Sequence, residues 1–165
     1  MTDTPTSAPV APGTPRTLAQ RQEDTLAMLR TPVRDVWVAT ASTAPDGTPA
    51  PYLVPLSMAW IDERVVLALD ATSRTGRSLL DTRTARLSLG GTRDVVMIDA
   101  DLERSVRVAE APAEIGEGYA AQADWDPRPG GEHDVYLVLR PRRVQAWREV
   151  DELAGRTLMR DGEWL

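Results

Sequence analysis

The feature that most constrains this chain is a succession of short alternating segments separated by turn signals. Residues 35–42 set Val36, Val38 and Thr40 against Trp37 and Ala39, and a period of two marks a strand with one buried face. Pro45-Asp-Gly-Thr48 is a turn, so 50–60 is expected to return as a hairpin partner. Asp62-Glu63 turns again into 64–69, which is rich in Val, Leu and Ala. A further strand at 85–89 is broken by Gly90-Gly91. The long polar-alternating stretch 94–108 predicts a strand bent or bulged around Asp99–Asp101. Residues 134–140 alternate Val135, Leu137 and Leu139 against Tyr136 and Val138, and the pattern extends past Pro141 to Trp147. Six or so strands joined by hairpins, with one or two inserted helices, imply a mainly β (α+β) protein: a small antiparallel barrel with helices. A doubly wound α/β fold fits worse, because only one good crossover helix is present and no Gly-x-Gly-x-x-Gly follows a strand.

The remaining segments complete the domain plan. Residues 1–16 hold four prolines among Thr, Ser and Ala and read as a disordered tail rather than a secretory signal. The ordered region, 17–148, opens on Thr17-Leu-Ala-Gln20, a capping box at a helix start. Leu18, Leu26 and Leu29 share one face of that helix, and Pro32 closes it. Residues 112–125 have helical composition interrupted by two glycines. The C-terminal extension, 149–165, is charged but ends in Gly-Glu-Trp-Leu, which suggests that it docks on the barrel or on a dimer partner.

What the chain lacks narrows its chemistry. There is no Cys, Lys, Asn or Phe, and a single His, His133. That excludes thiol nucleophiles, disulfides, Schiff bases and multi-histidine metal sites. His133 lies in a Gly-Gly-Glu-His loop, where a solvated residue is expected more than a catalytic base. If the protein is an enzyme, a bound cofactor carries the reaction. The net charge of −6 argues against a nucleic-acid binder, and no apolar run reaches membrane-spanning length. The cytoplasm is the expected location.

One stretch points to a ligand. Thr72-Ser-Arg-Thr-Gly-Arg-Ser-Leu79 follows a strand and opens a short helix ending near Asp81. Hydroxyls, unpaired amides at a helix start and two arginines, Arg74 and Arg77, together suit a phosphate. An ordinary N-capped helix with solvated arginines uses the same residue types.

Three segments in series carry a resemblance: 47–60 (GTPAPYLVPLSMAW), 71–79 (ATSRTGRSL) and 85–96 (ARLSLGGTRDVV). Across about residues 18–148 the chain resembles the split β-barrel family related to pyridoxamine 5′-phosphate oxidase, which includes flavin- and deazaflavin-dependent reductases. The resemblance implies a six-stranded antiparallel split β-barrel with flanking helices. It further implies a homodimer with a cofactor at each of two subunit interfaces, FMN in the first instance and a deazaflavin coenzyme as the alternative. Val54, Pro55, Leu56 and Ser57 would line the ring, and Thr72, Ser73, Arg74 and Arg77 would hold the phosphate. Where members often carry Asn after the second basic residue, this chain has Ser78. The oxidase's own substrate-contacting groups near its C-terminus have no match. The implied activity is hydride transfer between cofactor and a small organic substrate; a flavin-binding dimer without turnover, or a barrel that has lost its ligand, are the other readings.

Other candidates are fewer. Trp147 is either a stacking residue for the partner's cofactor or a packing tryptophan. Thr92-Arg-Asp94 is a ligand contact or a turn with an ion pair. Asp99, Asp101 and Glu103 are expected as a solvated face rather than a divalent-cation site.

Overall fold

A computed structural model describes residues 14–165, so residues 1–13 of the expected tail lie outside it. A first helix, α1 (Leu18–Arg30), leads into strands β1 (Asp35–Thr43), β2 (Pro49–Ile61) and β3 (Arg64–Asp70). Helix α2 (Arg74–Thr82) precedes β4 (Thr84–Gly91) and β5 (Asp94–Arg107), and α3 (Ala113–Gln122) precedes β6 (Asp134–Trp147). Two short strands, β7 (Thr157–Arg160) and β8 (Glu163–Trp164), end the chain.

The strands are antiparallel in the order β3-β2-β1-β4-β5-β6-β7-β8, and a β3–β6 pairing closes the first six into a barrel. Closure removes the edges that an open sheet would expose. The expected six-stranded split barrel is present, with β7 and β8 added beside β6. The Asp62-Glu63 turn has both residues in the left-handed region, at φ 47° and 59°, which matches the twist of a tight hairpin. The predicted irregularity in β5 occurs as register shifts at Asp99/Ala100 and Leu102/Arg104.

Alternation sorts the core. Val36, Val38, Leu67, Leu87, Ile98, Leu137 and Val144 fill the barrel interior. A second cluster, Ala59, Val66, Ala68, Tyr136 and Val138 with Ile115 and Tyr119, lies where α3 covers the outer faces of β2, β3 and β6. In α1 the capping box forms, with Thr17 and Gln20 exchanging hydrogen bonds. Its buried face is Arg21, Thr25 and Leu29, whereas Leu18 is exposed; Leu29 therefore anchors the helix, and Leu18 contributes little to it. Arg16, inside the stretch expected to be a tail, is tied down: its guanidinium meets Glu152 at 2.7 Å and Asp24 at 2.8 Å. Among the described residues no helix is long and apolar enough to cross a membrane.

Candidate functional site

The barrel is split beside β2. The β1–β2 ladder runs from Asp35/Ser57 to Thr43/Pro49, but the β2–β3 ladder stops at Met58/Leu67. Residues 49–57 therefore have β1 on one side and no ladder partner on the other. Met58 donates its amide to the Arg34 carbonyl on the β1 side, so by alternation the odd-numbered residues 49 to 57 turn their backbone groups to the open side. Pro49, Pro51 and Pro55 fall at those positions and lose no ladder bond by lacking an N–H. The donors on the open edge are the amides of Leu53 and Ser57. One acceptor is in use, because the Tyr119 hydroxyl donates to the Ser57 carbonyl at 3.2 Å. Burial pushes that phenol's pKa up to about 12.

The start of α2 reaches β2 through one side chain. Ser73 caps the helix, its hydroxyl accepting from the Gly76 amide at 3.0 Å, and the hydroxyl proton remains available as a donor. The amides of Arg74 and Thr75 lie in the first turn, where the helix itself supplies no acceptor. Arg74 stacks its guanidinium 4.3 Å from the Tyr52 ring centroid, which joins α2 to β2. From Tyr52, a strand rise of about 3.3 Å per residue carries β2 roughly 10 Å to Pro55. Arg77 donates to the Thr72 carbonyl and so props the turn that the helix grows from. Gly76 is required by space: a Cβ there would stand 2.6 Å from the Asp70 carbonyl oxygen and 2.7 Å from that of Ala71. Ser78 is buried and bonds the Ala41 carbonyl at 3.2 Å, fastening α2 to β1 rather than facing a ligand.

Three residues differ from their expected parts. The amide and hydroxyl of Thr72 both donate to Asp70 Oδ1, at 2.6 and 2.7 Å, so Thr72 is already committed as a donor. Those two bonds, hydroxyl first, hold the Asp70 carboxyl below the usual carboxylate range, with His133 and Arg77 adding to the effect. Val54 and Leu56 sit opposite Val38 and Val36, and Leu56 packs on the barrel core. Their side chains thus turn to the barrel side, both half-buried, and Leu53 and Pro55 are the exposed residues of this stretch. Ser57 closes the far end, with Oγ 3.0 Å from Asp124 and 3.2 Å from Asp35. A single hydroxyl proton serves only one of these carboxylates at a time.

Trp147 is not brought to this cleft within one chain. It ends β6, paired with Val95, while the other end of β6 pairs Asp134 with Asp70. Arg156 lies over its ring at 5.4 Å, and it borders a separate depression with Arg93, Arg148 and Leu153. Asp99, Asp101 and Glu103 are each taken by an arginine: Arg86 at 2.6 Å, Arg142 at 3.8 Å and Arg64 at 2.6 Å. Arg93 pairs with Glu149, and Asp94 with Arg148. His133 supplies its carbonyl to the Ala71 amide. Tyr52, Gly76 and Asp70 are the site residues that sequence reading missed; Tyr52 stood within the quoted motif as an aromatic among apolar residues.

An unpaired stretch of β2 near a helix start that bears two exposed arginines is thus the arrangement these residues make. Solved structures with this architecture include an F420 reductase, matched with a TM-score of 0.51 at 18% identity over 72% of this chain and 93% of that one. General Stress Protein 26 from Bacillus anthracis matches with 0.56 at 12% identity, over 77% of this chain and 94% of that one. A putative pyridoxamine 5′-phosphate oxidase from Listeria innocua matches with 0.55 at 12% identity, over 78% and 98%. No known family profile and no curated protein sequence matches the chain. The protein therefore has the split β-barrel fold of the pyridoxamine 5′-phosphate oxidase-like proteins.

Proposed function

We propose that this protein is an oxidoreductase that binds FMN, or alternatively a deazaflavin coenzyme, and passes hydride to or from a small organic substrate. The observation that supports the reading is Arg74 stacked on Tyr52, which brings the start of α2 to β2, the strand whose residues 49–57 have no ladder partner on one side. Arg74, Arg77, the Ser73 hydroxyl and the first-turn amides would hold the phosphate. The Ser57 and Leu53 amides would bond polar ring edges, with Leu53 and Pro55 against the ring. The bound ring supplies the hydride chemistry; the chain binds it, orients it and keeps one face apolar.

The reading extends to a cytoplasmic homodimer with the cleft at the subunit interface. Trp37 and Leu53, 50% and 57% exposed, lie on adjacent strands beside Pro55 and support a self-association face. Only in such a dimer would Trp147 reach a cofactor, that of the other subunit.

Titration with FMN and with the deazaflavin, followed by fluorescence, tests the reading. Charge-assisted bonds of about 1.5–3 kcal/mol each imply that Arg74→Ala with Arg77→Ala weakens binding at least tenfold. Unchanged affinity in that double variant overturns the phosphate assignment. Turnover of reduced cofactor with quinone, nitro or enone substrates separates an enzyme from a carrier of flavin.

A further inference from the structure

Arg143, Arg156 and Arg160 line one depression of about 440 Å³ on the outer side of β6 and β7, and no Asp or Glu side chain lines it with them. None of the three forms an ion pair among the described residues; Glu163 stands opposite Arg160 in the β7–β8 ladder without pairing with it. The guanidiniums are gathered rather than dispersed. With its amide oxygen turned to them, Gln145 accepts from Arg143 Nη2 and Arg156 Nε, each at 3.0 Å. Val144 pairs with Met159, which puts Arg143 and Arg160 at the same end of the ladder. A fourth guanidinium backs the wall. Gly155 lines the depression, and Arg21 Nη2 stands 3.7 Å from the point that a Gly155 Cβ would take. Arg21 is 7% exposed, and its Nε has no hydrogen-bond partner. Its Nη1 reaches only the Glu152 carbonyl, at 3.4 Å, because the Glu152 carboxylate is taken by Arg16. Like charges held this close repel, and a buried, poorly partnered cation costs stability. An anion that touches several guanidiniums at once relieves both costs.

We propose that this depression is a second binding site, for a small polyphosphate: a diphosphate or triphosphate group, free or carried on a nucleoside. It is independent of the cofactor reading, since β6 and β7 share no ladder with β2. Planar guanidiniums bond phosphate oxygens in pairs, and the clustered arginines match a ligand with several charges better than one with a single phosphate. The volume suits a small molecule. The net charge of −6 keeps long polyanions at a distance.

Calorimetric titration of the full chain at low salt, where screening is weakest, tests the site with inorganic triphosphate and with ATP. Orthophosphate and citrate are the comparison anions. Triphosphate is expected to bind at least about tenfold more tightly than either. Arg143→Gln with Arg160→Gln, both at exposed positions, should weaken triphosphate binding at least about tenfold at an unchanged melting temperature. Arg156→Gln alone should weaken it by about threefold or more, so the test does not hang on the folding of one variant. Arg30→Gln with Arg104→Gln removes the same charge elsewhere and should change the affinity by less than about threefold. With these results, ATP binding more tightly than triphosphate makes the occupant a nucleotide, and equal affinities make it the phosphate chain itself. No binding of triphosphate at millimolar concentration, citrate binding as tightly, or equal losses in the two double variants overturns the site. None of those results bears on the cofactor reading, which FMN and deazaflavin titration decides separately.

Discussion

At single positions the backbone sets the sharpest demands. Gly76 has the Asp70 and Ala71 carbonyl oxygens where a Cβ would go, and backbone atoms yield less readily than a side-chain tip. Gly76→Ala is therefore expected to destabilise the fold by about 1–3 kcal/mol, read as a lower urea midpoint at unchanged slope. It should weaken cofactor binding as well, since α2 must shift from the turn. Val33 shows the opposite case. It is a β-branched residue at φ 53° with most of its surface exposed, a conformation costing about 1–2 kcal/mol for an L-residue. Asparagine tolerates that region better, so Val33→Asn should raise the melting temperature, and a fall would show that the side chain packs more than its exposure suggests.

Among elements, the N-terminal segment and the C-terminal turn at 150–152 hold each other through one buried carboxylate. Glu152 accepts from the Arg16 amide, Nε and Nη2 and from the Arg148 amide, and the Arg16 side chain is foremost in lowering its pKa to about 2. A carboxyl depressed in the folded state stabilises the protein above its unfolded pKa, near 4.5, and the benefit fades as pH falls from there towards about 2. The expected measurement is a stability loss on acidification through that window, of up to about 3 kcal/mol, and its flattening in Glu152→Gln. That latch was not legible in the sequence, because its partners lie 136 residues apart and Arg16 sits in a stretch whose composition reads as tail. By contrast β1, β2, β3 and the early part of β6 were legible, since their alternation is imposed by the barrel interior. Strands β7 and β8 were not: four and two residues long, they exist because β6 offers them an edge, which no local pattern encodes. In α2, the cap at Ser73 could be read from helix-start chemistry. The inward turn of Val54 and Leu56 follows from register, and the commitment of Thr72 from a side chain two residues away.

The proposed dimer rests on the exposed Trp37, Leu53 and Pro55 of β1 and β2. Sedimentation should report a dimer for the wild type, and Leu53→Glu should yield a folded monomer with weakened cofactor binding. A wild type that sediments as a monomer, or a Leu53→Glu protein that remains dimeric, would remove that face as the interface.

An unpaired strand invites strangers: neighbouring chains can add themselves rung by rung, the usual start of aggregation. Here Pro49, Pro51 and Pro55 withhold amides along that border of β2, so an incoming strand finds few rungs to close. The imino acids that leave this border short of donors also make the protein a poor seed for clumping.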